Sequence, residues 1–366
     1  MFQMRVVRIL ICYFAVVGIM GCTFIMHFLN PLNARKPNFI EKTNSINLET
    51  PITSMALALE ISSSKIVLNK LKMLARSIYT PGHILNASRI CQDKGANLTL
   101  LIVVTSDISH TNERADVRRT WGQLGTEQGV AIVFSVGKTD SSYISRKIIE
   151  EEHTYGDIIQ GNFIDVYDNL SLKTLSFLEW VNNYCSKVKF VLKTYDDTFI
   201  NVPLILQLGT QHLDSHRSIF GKQAKNIMPV RDMFSKYYLS QEDFSSDTLP
   251  DFMSGGAYMM SADITSELYN HALDTAFFKL EDVFFTGIVA KMLNISQVNV
   301  EEFVKENVVF DECEVKYAYV INNLKHREKL FYWKLFLEKT PLWCKWSHET
   351  VPTEYWGEII TSKSYL

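Results

Sequence analysis

The sequence predicts an α/β domain with a mostly parallel central sheet, preceded by an N-terminal transmembrane helix and a stem. Two observations predict the sheet. Between Asn97 and Thr194, short apolar runs alternate with amphipathic stretches in a β-α-β-α-β-α-β order, the pattern of parallel strands joined by right-handed crossover helices. The runs are continuously apolar, as in "LTLLIVVT" (Leu98 to Thr105), which suits strands buried on both faces. A third observation predicts the membrane helix: no Lys, Arg, Asp or Glu occurs between Arg8 and Arg35.

Ile9 to Leu29 is almost wholly apolar, and about 20 such residues in a helix match a hydrocarbon layer roughly 30 Å thick. Gly21 and Cys22 raise a cleaved signal peptide as the rival, yet the run continues through Phe24, Ile25 and Met26, past a usual h-region. The expectation is a cytoplasmic tail over 1–8 and an uncleaved signal-anchor over 9–29. Basic residues flank the span on both sides, Arg5 and Arg8 before it and Arg35 and Lys36 after it, so charge says little about orientation. Sequons at Asn86, Asn97, Asn169 and Asn294 tip the choice toward a lumenal domain, although Asn169 also reads as a helix cap. Beyond the span lie Cys91, Cys185, Cys313 and Cys344, enough for two disulfides in any of three pairings. No CxxC pair occurs, which argues against zinc.

Residues 30–95 carry Pro31, Pro37, Pro51 and Pro81 and read as a stem. Within it "KIVLNKLKMLARSIY" places Val67, Leu71, Leu74 and Ile78 at helical spacing. The domain follows over 96–345, with a C-terminal tail over 346–366. The whole chain of 366 residues is 47% hydrophobic with a net charge of −3. That supplies one large core or two medium ones and offers no basic face for nucleic acid.

After the first strand, "NERADVRRTWG" is expected to be helical, and "VAIVFSVG" (Val130 to Gly137) forms the second strand. "SSYISRKIIEEEHT" is a helix capped by Ser141 or Ser142, and "DIIQGNF" is the third strand. "LSLKTLSFLEWVNNYC" is a helix with Leu175, Leu178, Val181 and Cys185 on one stripe, and "VKFVLKT" is the fourth strand. That strand runs into Asp196 and Asp197, two like charges that need a positive partner. Ligands of open α/β sheets bind at such strand ends. No G-x-G-x-x-G or P-loop follows the first strand, which excludes an ordinary dinucleotide domain and a P-loop enzyme. A nucleotide diphosphate held through a divalent cation by hard carboxylate oxygens fits better. Further on, Glu281 and Asp282 precede an amphipathic helix, where a cap is the alternative reading. Between the two acidic sites, Gly255-Gly256 marks a turn or a close approach of ligand to backbone.

Taken together, "ERADVRRTWG", "DVYDNLSLKT", "KTYDDTFINV", "PVRDMFSKYYLSQEDF", "PDFMSGGAYMMS" and "EDVFFTGI" resemble, in order and spacing, the blocks of the β-1,3-galactosyltransferase and β-1,3-N-acetylglucosaminyltransferase family (glycosyltransferase family 31). The resemblance covers about residues 97 to 335. It implies a GT-A-like fold, a UDP-sugar donor such as UDP-galactose, Mn²⁺, and inversion at the anomeric carbon. It also implies a Golgi membrane protein of single-pass type II topology, acting on glycoprotein or glycolipid glycans and able to oligomerise with itself or with other glycosyltransferases. Asp197 is then the metal ligand, with Asp196 supporting it, and Asp282 the general base beside Glu281. Arg118 and Lys193 are candidates for the donor phosphates, Gly255 and Gly256 for the sugar, and Trp121 for packing. Two positions depart from the family pattern. Tyr195 stands where the first acid of the triplet belongs, and Asn322, with His326 four residues on, stands where a histidine ligand is expected. These departures keep a second reading open, a catalytically weak relative acting as a lumenal chaperone or partner of an active transferase.

Overall fold

The computed structural model describes residues 73–126, 129–305 and 312–339. The cytoplasmic tail, the signal-anchor, the stem up to residue 72 and the C-terminal tail lie outside the described residues. Among the described residues no helix is long and apolar enough to cross a membrane. The sheet begins earlier than the sequence suggests, because β1 (His83–Asn86) lies in the stretch read as stem. It pairs antiparallel with β4 (Ile158–Ile164) at the sheet edge. A four-residue strand with alternating exposure behind Pro81-Gly82 leaves little trace in sequence. The expected helix around Ile78 is also absent over its described part. Ala75–Ser77 forms a single 3-10 turn, tied to the body by bonds from Ala75 N to Thr275 O and from Phe277 N to Met73 O.

The four apolar runs all become strands. They are β2 (Leu100–Thr105), β3 (Val130–Lys138), β4 and β5 (Phe190–Tyr195). They pair in parallel in the order β4-β3-β2-β5. The sheet is mixed as a whole. Beyond β5 comes β8 (Phe252–Ser261), antiparallel to β5, then β7 (Ser218–Ala224), antiparallel to β8, and then β9 (Ser296–Asn299), parallel to β7. Strand β2 shows why the runs are unbroken: Leu101 and Val103 pack into one core, while Leu100, Ile102 and Val104 pack into the other. The first core holds α3 (Leu170–Tyr184) and α5 (Thr265–Leu273). The second holds α1 (Thr111–Arg119), α4 (Val202–Gln211) and α7 (His326–Leu337).

Local signals set the helix ends. Ser141 Oγ accepts from Ile144 N at 3.4 Å to start α2 (Ser142–Tyr155), and Gly156, at φ +67°, ends it. Asn169 precedes α3 without capping it through its side chain, which donates instead to Ile164 O at 2.9 Å. A small second sheet joins β6 (Phe199–Ile200), β11 (Val320–Ile321) and β10 (Val304–Lys305), bringing the segment that leads into α7 against the acidic turn.

Cys91 and Cys185 form a disulfide that closes a loop of 94 residues and ties the β1 region to the end of α3. Cys313 is disulfide-bonded as well. Cross-linking so long a loop removes much unfolded-chain entropy, so the double replacement Cys91→Ser/Cys185→Ser is expected to lower stability by about 3 kcal/mol. Denaturant unfolding under oxidising conditions checks this, and an unchanged midpoint would refute it.

Candidate active site

The chain turns its sheet at one place. From β2 it winds outward through β3 and β4, then crosses back to place β5 on the other side of β2. Such a switch point opens a crevice at the carboxyl ends of the strands. Here it holds a cavity of about 680 Å³, bordered by Ser106 and His110 after β2, Asp196 and Asp197 after β5, and Asp282.

The paired acids are held separately. Asp196 Oδ2 accepts from Ser106 Oγ at 2.6 Å and meets His110 Nδ1 at 3.0 Å, and this bond is the main reason the His110 ring holds its proton more tightly than usual. The partner of Asp196 at this end of the cavity is thus a histidine. Below the turn, Lys329 Nζ donates to Asp196 O at 2.9 Å and Leu324 N to Asp197 O at 2.8 Å. Asp197 has no such compensation: its Oδ1 is buried with no hydrogen-bond partner among the described residues. Burial, and then the charge of Asp196, raise its pKa.

The second acidic pair divides its labour. Asp282 heads a short π-helix (Val283–Val289), with Oδ1 accepting from Val283 N at 2.9 Å. Its pKa is pushed up to about 6, first by burial and second by the charge of Glu281. Glu281 borders the cavity but is only 3% exposed, and its carboxylate is already engaged. Tyr258 OH donates to it at 2.5 Å, Thr174 Oγ1 at 3.0 Å, and Lys193 Nζ lies 2.8 Å away. These contacts tie Glu281 into the body of the domain while it borders the cavity. The same contact engages Lys193, which does not border the cavity and also donates to Gly255 O at 3.0 Å.

Gly255 and Gly256 both border the cavity, for a reason the sequence reading missed. A Cβ on Gly255 would lie 2.8 Å from Asp282 Oδ2, and one on Gly256 would lie 2.8 Å from Asn322 Nδ2. The glycines leave room for two side chains of the site, whereas the sequence reading reserved the space for a sugar.

Arg118 lies away from the cavity lining. It pairs with Glu151 and Asp157 at 2.8 Å each and covers the rings of Phe134 and Tyr155 away from the cavity. Its neighbour in the same block, Arg114, reaches further in: fully buried, it holds Glu151, Ser106 Oγ and Asp107 O. Trp121 is core, its Nε1 donating to Thr198 O at 2.8 Å. Asn322 borders the cavity as expected, but His326 does not. Its Nδ1 lies 2.6 Å from Asp116 Oδ2. Sequence reasoning missed His110, Lys329 and the buried Asp165–Lys173 pair (2.7 Å), whose lysine also donates to Ser106 O. The only signal for the last was its place in "DVYDNLSLKT".

Residues 112–301 match the galactosyltransferase family. The β-1,3-galactosyltransferase 5 of Gorilla gorilla gorilla is 35% identical over 240 residues, 64% of this chain and 80% of that protein. The Homo sapiens β-1,3-galactosyltransferase 5 is 34% identical, covering 64% and 77%. The Mus musculus β-1,3-galactosyltransferase 1 is 30% identical over 248 residues, covering 67% and 76%. With these matches running through the acidic turn, the glycine pair and the Glu281-Asp282 step, the chain belongs to the β-1,3-galactosyltransferase family and is a glycosyltransferase.

Proposed function

We propose that the protein is a UDP-sugar-dependent, inverting β-1,3-hexosyltransferase of GT-A-like fold that transfers galactose, N-acetylglucosamine or N-acetylgalactosamine to a glycan acceptor. The observation that carries this reading is Asp282, a cavity-facing carboxylate with a proton affinity lifted to the range a general base needs at neutral pH. In a single displacement the acceptor oxygen forms its bond to the anomeric carbon as its proton passes to Asp282, and the bond to UDP breaks with its electron pair leaving on the diphosphate. One base suffices, and the configuration inverts.

The donor set fits a divalent cation of the Mn²⁺ type. Asp197 offers a buried oxygen without a partner, and Asn322 offers an amide at the same cavity. Among the described residues no three His, Cys, Asp or Glu side chains converge as a self-sufficient metal site. The ion would therefore share its ligands with the nucleotide phosphates, as hard cations commonly do. When bound, it supplies charge neutralisation for the leaving diphosphate. Asp196, engaged by Ser106 and His110, keeps the turn in place and brings the His110 ring to the cavity. Lys236 and Lys279 add positive charge on its border.

In this reading the apolar N-terminal segment anchors the chain in the Golgi membrane with the catalytic domain in the lumen. Exposed Asn86, Asn97 and Asn294 are compatible with that placement. One observation favours the second reading, a weakly active partner of another transferase: Tyr195 puts a phenol where a carboxylate belongs. The test is UDP release by the full-length protein across a panel of UDP-sugars, with and without Mn²⁺. Release that depends on both acceptor and cation is expected. Absence of turnover with every donor, alongside retained capture of an active transferase, would establish the partner role instead.

A further inference from the structure

The loop between β7 and β8, residues 225–251, walls two cavities. Ile227, Val230 and Tyr237 border the cavity of the acidic turn, Phe244, Ser246 and Thr248 border a second one of about 750 Å³, and Leu249 borders both. The loop has neither helix nor strand of its own, and irregular segments of such length usually serve a site. Arg231 ties it internally, donating to Leu239 O at 2.8 Å and to Phe244 O at 2.7 Å. The body holds it at Asp251 O, which accepts from Gln297 at 2.9 Å, and at the Phe244 ring, which meets Phe278 edge to face at 5.8 Å.

Lys291, Asn294, Ile295 and Gln297 border the second cavity from outside the loop. Asn294 opens the sequon Asn294-Ile-Ser. It joins the helical turn Ala290–Met292 to β9 and is exposed, with φ at +51°, a left-handed conformation that asparagine tolerates better than most residues. Ile295 is buried and Ser296 is exposed, so the residue between the two sequon positions fixes the site to the core while both of those face outward. Asn86, Asn97 and Asn169 border neither cavity. The lining of the second cavity suits an N-acetylhexosamine. The Phe244 ring matches the C–H face of a pyranose, and Asn226, Ser246 and Thr248 offer amide and hydroxyl groups to its hydroxyls and acetamido group.

We propose that Asn294 carries an N-linked glycan whose first N-acetylglucosamine residues occupy the second cavity and brace the 225–251 loop. The modification joins the Asn294 amide nitrogen to the anomeric carbon of an oligosaccharide. The amide gives up one proton, and the bond to the lipid diphosphate that carried the sugar breaks with its electron pair. The inference rests on the lumenal placement proposed above, because the lipid-linked donor serves that compartment. Its consequence reaches the active site: a sugar seated on one side of the loop steadies the wall of the cavity on the other.

Peptide mass spectrometry of the full-length protein, made in mammalian cells, tests the attachment, with glycosidase release in heavy-oxygen water marking each occupied asparagine. Asn294 is expected to be marked in the wild type and in Ser296→Thr, which keeps the sequon, and bare in Ser296→Ala. Hydrogen exchange then reads the brace. Amides of residues 240–249 are expected to exchange about fivefold faster in Ser296→Ala than in the other two proteins. A bare Asn294 beside an occupied Asn86 or Asn97 would overturn the proposal, as would exchange rates that do not follow the glycan. If every sequon is bare, the lumenal placement itself falls, and this proposal with it.

Discussion

Asp282→Asn is expected to lower sugar transfer by about 10³-fold, because an amide of the same shape cannot take the acceptor proton. UDP affinity should barely move, since a base for the acceptor proton acts on the incoming hydroxyl and not on the diphosphate. The pH profile provides a second check. Burial holds the proton on Asp282 up to about pH 6. The wild-type rate is therefore lost as pH falls through about 6 and levels off above it, and this limb disappears in the variant. If UDP binding falls together with the rate, Asp282 belongs to the donor site.

Lys193→Met is expected to cost about 4 kcal/mol of folding stability, because removing one member of a buried ion pair leaves an uncompensated charge. Lys193 and Glu281 are 1% and 3% exposed, and Gly255 O loses its donor as well. The double variant Lys193→Met/Glu281→Gln should recover at least half of the loss, since a neutral amide still accepts from Tyr258. Urea unfolding of both variants decides the matter, and a single-variant loss under about 1 kcal/mol would contradict the buried-pair account. There is also a functional signature. Lys193 pulls the Asp282 pKa down, so the acidic limb of the residual activity should move to higher pH in Lys193→Met.

Much of the fold was legible because parallel strands must be apolar on both faces. The runs from Leu98, Val130, Asp157 and Val188 announced β2 to β5, and the acids at the end of the last one marked the crevice. The short edge strand β1 was not legible, since four residues, two of them exposed, are too few to stand out in sequence. The site was legible as a set of blocks, but not as a division of roles. Arg118, Lys193 and Glu281 look like ligand-facing charges in sequence, and only the folded chain shows each already matched to a buried partner. The glycines illustrate a related limit: sequence reveals that a side chain is missing but not which neighbours crowd the gap, here Asp282 and Asn322. His110 carried no motif of its own, because its role comes from a contact with Asp196 across 86 positions.

The acidic turn is clasped from behind by Leu324 and Lys329, the latter 133 positions downstream. During synthesis, a nascent chain that has already paired its central strands still lacks the groups that fix Asp196 and Asp197. The crevice is therefore completed only when nearly the whole polypeptide has emerged, and a chain that stops before Leu324 lacks the groups that hold its acidic turn.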